Sequence, residues 1–143
     1  MTKQFDLLIF GATGFTGRFV VERLVQTIQN YGLKDFRWAV AARNINQLRK
    51  YLDDTEQYLG KKFAHKLDIF QTDIESEQSL RDAFARSKLV MNCVGPYSLL
   101  GEPVLKACLD SGKFDSNFRF DSNPNNLTFC FQFLRRSLYG SKW

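Results

Sequence analysis

The chain has little of what marks several protein classes. Only three of its 143 residues are cysteine, and Cys93, Cys108 and Cys130 form no C-x-x-C pair. That spacing argues against a zinc-ribbon or dithiol pattern, and the two cysteines within apolar segments read as reduced core residues. There is one histidine, His65, ahead of a weak strand and with no nucleophile beside it. A surface role is expected for it rather than catalysis. No apolar stretch approaches the roughly 18 residues that mark a membrane-spanning helix, and residues 1–6 lack the hydrophobic region of a secretion signal. An intracellular chain, cytoplasmic and without a transmembrane segment, is expected. No Lys/Arg-rich run occurs, so nucleic acid is not expected as a partner.

Charge of one sign is also scarce. Twenty Lys and Arg face fifteen Asp and Glu, a net charge of +5. Residues 1–112 carry 15 basic and 13 acidic residues, and residues 113–143 carry 5 and 2, so most of the excess lies late in the chain. A slightly basic surface accounts for this. What is present is ordinary for one globular domain: 44% hydrophobic and 24% charged residues. A cofactor domain and a full substrate domain together would not fit this length.

Through residue 112, short apolar runs alternate with segments of helical period. Residues 5–10 form a strand that becomes almost wholly apolar, as in a sheet covered on both faces. Phe19, Val20, Val21, Leu24, Val25 and Ile28 then mark a helix ending near Tyr31 and Gly32. Residues 37–42 give a second strand, and Asn44 caps a helix bearing Ile45, Leu48, Tyr51 and Leu52, with Gly60 as the stop after a polar stretch. A weaker strand at residues 66–72 precedes a helix with Leu80, Ala83 and Phe84 inward. The strand at residues 89–94 precedes a helix over residues 102–111. This βαβαβαβα order predicts a Rossmann-like parallel sheet with right-handed crossovers. Residues 113–143 change grammar. They open on a stretch rich in Asn, Asp and Ser, and a strand from Phe114 is one reading of its start. Leu127, Phe129, Phe131 and Phe133 then alternate with polar or small residues.

Gly11-Ala12-Thr13-Gly14-Phe15-Thr16-Gly17 stands between the first strand and the first helix. That placement is the arrangement that holds a dinucleotide pyrophosphate. Gly11 allows the tight turn, Gly14 lets backbone approach the phosphates, and Gly17 lets the helix pack closely. Amides near Phe15, Thr16 and Gly17 face the anion, with Thr13 in the same loop. No Gly-Lys-Ser/Thr follows, which excludes a P-loop. The second strand ends at Arg43, where an NAD-binding domain would carry an acid for the ribose hydroxyl. A guanidinium there suits a 2′-phosphate, so NADP is expected over NAD. A solvated arginine is the plainer reading. Asp73 ends the third strand where adenine would lie, and two roles fit it: acceptor for the adenine amine, or acid at a helix entry. Val94, Gly95, Pro96 and Tyr97 follow the fourth strand, bordering the nicotinamide ribose. Gly95 permits close approach and Pro96 stiffens the turn. Tyr97 either touches the cofactor or packs. No catalytic residue and no metal ligand is assigned. Tyr58-x-x-x-Lys62 matches a dehydrogenase spacing but lies between the second and third strands, far from the nicotinamide end.

The stretches Phe10 to Arg18, Trp38 to Arg43 and Asn92-Cys93-Val94-Gly95-Pro96-Tyr97, then Gly101-Glu102-Pro103-Val104, are similar in order and spacing to the saccharopine dehydrogenase-like oxidoreductases. The likeness covers about residues 5–112. It implies the N-terminal dinucleotide-binding domain of an NAD(P)-dependent oxidoreductase. The family includes trans-acting enoyl reductases, and its animal members are associated with lipid droplets and mitochondria. A lipid-related role and those locations are therefore expectations from the resemblance. Family members continue with a fifth strand, an Asp-containing turn, a substrate-binding region and a hydrophobic segment. Lys113-Phe114-Asp115 begins like that strand and then departs, so residues 1–112 are expected to form an incomplete cofactor domain and residues 113–143 a divergent tail. A spliced or misassigned gene end would give such a tail. Two other readings stay open: a non-catalytic docking or sensing module, and an inactive, unstable product.

Overall fold

The computed structural model describes residues 4–95 and 97–111. Its elements alternate as expected: β1 (Leu7–Phe10), α1 (Phe15–Asn30), β2 (Trp38–Ala42), α2 (Ile45–Leu59), a 3-10 turn (Ala64–Lys66), β3 (Asp68–Gln71), α3 (Glu77–Ala85), β4 (Val90–Asn92) and α4 (Tyr97–Ser111). The strands pair in parallel in the order β3-β2-β1-β4. Leu8 lies opposite both Ala39 and Val90, and Val40 lies opposite Ile69. This is a Rossmann-like sheet. The strand proposed from Phe114, the tail and Cys130 lie outside the described residues.

Side chains alternate across a strand, so a strand covered on both faces must be apolar at every position. Leu8 and Phe10 pack with Leu80 and Phe84 of α3 and Val104 and Cys108 of α4. Leu7 and Ile9 turn the other way, onto Val21 of α1 and Leu48 and Leu52 of α2. The chain changes face between β3 and β4. The point where strand order reverses therefore lies between β1 and β4, where open α/β sheets place ligands. Cys93 and Cys108 form no disulfide among the described residues, and Cys108 is buried in this core.

Several expected boundaries shift. Strands β1, β3 and β4 are shorter than the apolar runs, and Phe5 makes only an isolated bridge to Ser87. The fourth helix begins at Tyr97, not at residue 102, with Pro103 inside it. A proline is tolerated best in a helix's first turn, which is why Gly101-Glu102-Pro103 reads as a start. Here the carbonyl of Leu99 simply receives no bond from position 103. Phe19 was expected on the buried stripe but is 60% exposed, with its ring edge-to-face on the exposed Phe15 at 5.1 Å. Helix α1 buries Gly17, Val21 and Val25, spaced four apart, and Phe19 falls on the far side of that stripe.

The helix ends follow their local chemistry. Asn44 accepts from the Gln47 amide at 3.0 Å, and Gly60 closes α2 at φ +65°. The polar end of α2 hides a surprise: Glu56 is buried. Its Oε1 accepts from the amides of Phe63 and Ala64, each at 2.7 Å, and its Oε2 from Lys62 Nζ at 3.0 Å. These bonds tie the end of α2 to the turn that enters β3. The same arrangement accounts for Tyr58 and Lys62, which serve no site: Tyr58 is exposed and Lys62 pairs with Glu56.

The Ala64 amide, then Lys62, hold the Glu56 carboxyl down at about 2, against an ordinary value of 4.5. A carboxyl with a lowered folded value stabilises the fold fully above its ordinary value and loses that contribution as pH falls through the folded one. Glu56→Gln should therefore lower stability at pH 7 by about 1–3 kcal/mol, the usual range for a charge-assisted hydrogen bond set. Urea melts from pH 7 to 2 should show the two proteins converging as pH falls from 4.5 toward 2. A constant gap across that window would refute this role.

Candidate functional site

In a parallel sheet every strand ends on the same edge, so the segments after Phe10, Ala42, Gln71 and Asn92 share one rim. The glycine turn occupies its middle. Gly11 has φ +83°, a conformation side chains rarely adopt. The Gly11 and Ala12 amides both donate to Ala41 O, at 2.9 and 3.3 Å, and the Cys93 amide donates to Phe10 O at 2.8 Å. The turn is thereby fastened to β2 on one side and β4 on the other.

The three glycines do different work. A Cβ on Gly11 would stand 2.5 Å from Val94 Cγ2, and one on Gly17 would stand 2.2 Å from Gly11 O. Both positions are closed by the protein itself. Gly14 is not: the nearest atom to an added Cβ is Gly11 O at 3.4 Å, and the residue is exposed. A methyl group there would meet only ordinary contacts, Gly11 O at 3.4 Å and Cys93 O at 3.9 Å.

Gly14 is also the N-cap of α1, and it offers no side-chain acceptor. The first helical bond runs from the Arg18 amide to Gly14 O at 3.0 Å. The amides of Phe15, Thr16 and Gly17 have no acceptor among the described residues, and no acid lies in the first turn. Such an end, with donors unspent and a positive dipole, is built for an anion.

The other expected residues arrange themselves around this centre. Arg43 is exposed just past β2, and its carbonyl accepts from Gln71 Nε2 at 3.3 Å. Asp73 is half-buried past the edge strand β3. Its Oδ1 accepts from the Glu75 amide at 3.0 Å, and its carbonyl accepts from Ser79 Oγ at 3.3 Å. It thus enters the turn before α3, the plainer of its two expected roles, and one carboxylate oxygen is committed there. Beside it, Thr72 Oγ1 is buried without a hydrogen-bond partner among the described residues. Val94 packs directly on Gly11, and its amide donates to Asn92 Oδ1 at 3.0 Å. Gly95 is exposed with nothing within 4 Å of an added Cβ. Pro96 lies outside the described residues, as does the side chain of Tyr97, which opens α4.

One pair at this rim escaped the motif reading. The Arg18 guanidinium lies 5.0 Å from the Tyr51 ring centroid, and Tyr51 donates its hydroxyl to Arg18 O at 2.7 Å. Arg18 Nε donates to Thr13 O at 3.2 Å, so the side chain folds back onto the glycine turn. The clue available beforehand was a cation one turn into a helix start, where the dipole disfavours it. His65 is exposed on the 3-10 turn, at the opposite rim. Burial pushes the Cys93 thiol up to about 11, so it is protonated at neutral pH and is no ready nucleophile. No group of three metal-ligating side chains occurs among the described residues.

Comparison with known proteins agrees with this geometry. The family model for the saccharopine dehydrogenase NADP binding domain matches residues 7–126. A saccharopine dehydrogenase-like oxidoreductase of Mus musculus is 39% identical over 112 residues, covering 77% of this chain and 26% of the relative. The Homo sapiens protein of the same name is 37% identical over the same shares. A protein of Caenorhabditis elegans named lipid droplet localized protein is 38% identical, over 77% of this chain and 25% of its own. The chain thus spans about a quarter of the length of these curated relatives.

The two outer glycines and the middle one should respond differently to a methyl group. Gly17→Ala must push α1 off the turn and should lower stability by about 1–3 kcal/mol, as overpacked sites do. Gly14→Ala should leave the melting midpoint nearly unchanged. Equal losses in thermal melts of the two variants would show that Gly14 is closed by the fold as well.

Proposed function

The chain belongs to the saccharopine dehydrogenase NADP-binding domain family, and from this we propose how its rim residues hold NADP. The Phe15, Thr16 and Gly17 amides take the pyrophosphate, with Thr13 and Gly14 shaping the approach. Arg43 pairs with the 2′-phosphate, Asp73 borders adenine through its remaining oxygen, and Val94 and Gly95 line the nicotinamide ribose. The observation that carries this is Gly14. Its missing side chain has no packing reason in the protein, while three unspent amides open beside it. A pyrophosphate gives both a reason.

When bound, the cofactor supplies hydride chemistry. The described residues bind and orient it, and none of them is assigned as a proton donor. Oxidoreduction of a lipid-related substrate is the whole-protein activity we propose; the family's name and that of the nematode relative support it. Association with lipid droplets rests on that same nematode name. Among the described residues no helix is long and apolar enough to cross a membrane.

Fluorescence titration with NADPH and NADH tests the assignment. NADPH should bind more tightly. Arg43→Ala should weaken NADPH by about 10- to 100-fold, the loss of one charge-assisted contact, and NADH far less. Gly14→Trp should remove binding of both while the far-ultraviolet circular dichroism stays unchanged. Binding indifferent to both substitutions would end the cofactor assignment at this rim.

A further inference from the structure

Arg18 stands where local physics does not favour it. It lies in the turn following the helix start, where the helix dipole repels a cation. No ion pair joins it to any carboxylate among the described residues; even Glu22, one turn on along the same helix, forms none with it. Its Nε is committed to Thr13 O and its plane rests near the Tyr51 ring. The two terminal nitrogens have no acceptor among the described residues. A structural clamp on the loop needs only Nε. The Tyr51 ring meets the charge, and the four remaining N–H groups are unspent among the described residues.

Their placement is directional. Tyr51 belongs to α2, which follows Arg43, and it holds the guanidinium on the β2 side of the glycine turn. The turn itself is bonded to Ala41, two residues before Arg43. Arg18 therefore lies on the α2 side of the glycine turn rather than toward β4 and the nicotinamide end. We propose that Arg18 is a second specificity-determining cation, donating from its terminal nitrogens to the same ribose 2′-phosphate as Arg43. Tyr51 is the platform that holds it there. A planar guanidinium suits a phosphate bidentately, and the stacked ring orders it before the ligand arrives. The proposal rests on the cofactor reading above and adds a residue that neither motif spacing nor strand position assigns.

The test uses 2′,5′-ADP and 5′-AMP, which differ only in the 2′-phosphate, with calorimetric titration of the full chain. Arg18→Gln removes the charge but keeps a donor for Thr13 O. It should weaken 2′,5′-ADP by about tenfold and 5′-AMP much less. Arg18→Lys, which restores charge without the fork, should recover part of that preference. Tyr51→Leu should erode it by freeing the guanidinium. Equal loss for both ligands, or a lowered melting temperature that tracks the loss, would reduce Arg18 to a loop clamp and overturn the proposal. A wild-type chain that binds neither ligand would instead overturn the cofactor reading. Binding that depends on Arg43 and ignores Arg18→Gln would sink this inference alone.

Discussion

Everything at the functional rim depends on how closely α1 approaches the turn it grows from. Gly17 sits against the Gly11 carbonyl at a separation that admits no side chain, and Gly11 sits against Val94 in the same way. Backbone thus packs on backbone at the centre of the sheet edge. With a side chain at Gly17, α1 would stand off, and its first amides would aim elsewhere; with one at Gly11, the turn would be pushed away from Val94. The approach is held by bonds from Gly11 and Ala12 to β2 and from Cys93 to β1. The aim of these amides is therefore a by-product of packing geometry.

The rest of the sheet serves to hold that geometry still. The two clusters meet on the same strands, residue by residue, so β1 cannot tilt toward one without losing the other. Small residues at Ala39, Ala41 and Ala42 let β2 lie close beneath its neighbours, and all are buried. Glu56 fixes the far end of α2, and Asn44 fixes its near end, so the helix carrying Tyr51 keeps its register against α1. A buried carboxylate is tolerable there because backbone amides and Lys62 share its charge.

What could be read from the sequence was governed by how local the cause is. Glycine spacing, the Asn44 cap, the Gly60 stop and the apolar run of β1 depend on near neighbours, and the fold shows them. So do the family and its cofactor, since the motifs that carry them are contiguous. Phe19 misled because an apolar residue on a helix was counted without asking which side faces the sheet. Pro103 misled because proline's preference for a first turn is only a preference. Glu56 and Arg18 were invisible for a deeper reason. Their partners, Phe63 and Ala64 in one case and Tyr51 in the other, are supplied by segments that only the folded chain brings near.

That contrast also separates two kinds of unusual residue at the rim. Gly11 and Gly17 are unusual because the protein crowds them, and the fold alone explains each. Gly14 and Arg18 are unusual without such an explanation: one is bare where nothing crowds it, the other is a cation that no carboxylate among the described residues pairs with. Local choices normally agree with the fold they specify, and the exceptions gather where a ligand makes up the difference. Here the two exceptions lie one helical turn apart, and they are complementary. A backbone cradle and a guanidinium with unspent N–H groups would suit one kind of guest, a polyanion lying along the start of α1. An adenine dinucleotide with a 2′-phosphate has that distribution of charge, with the pyrophosphate in the middle and the extra phosphate at the adenosine end.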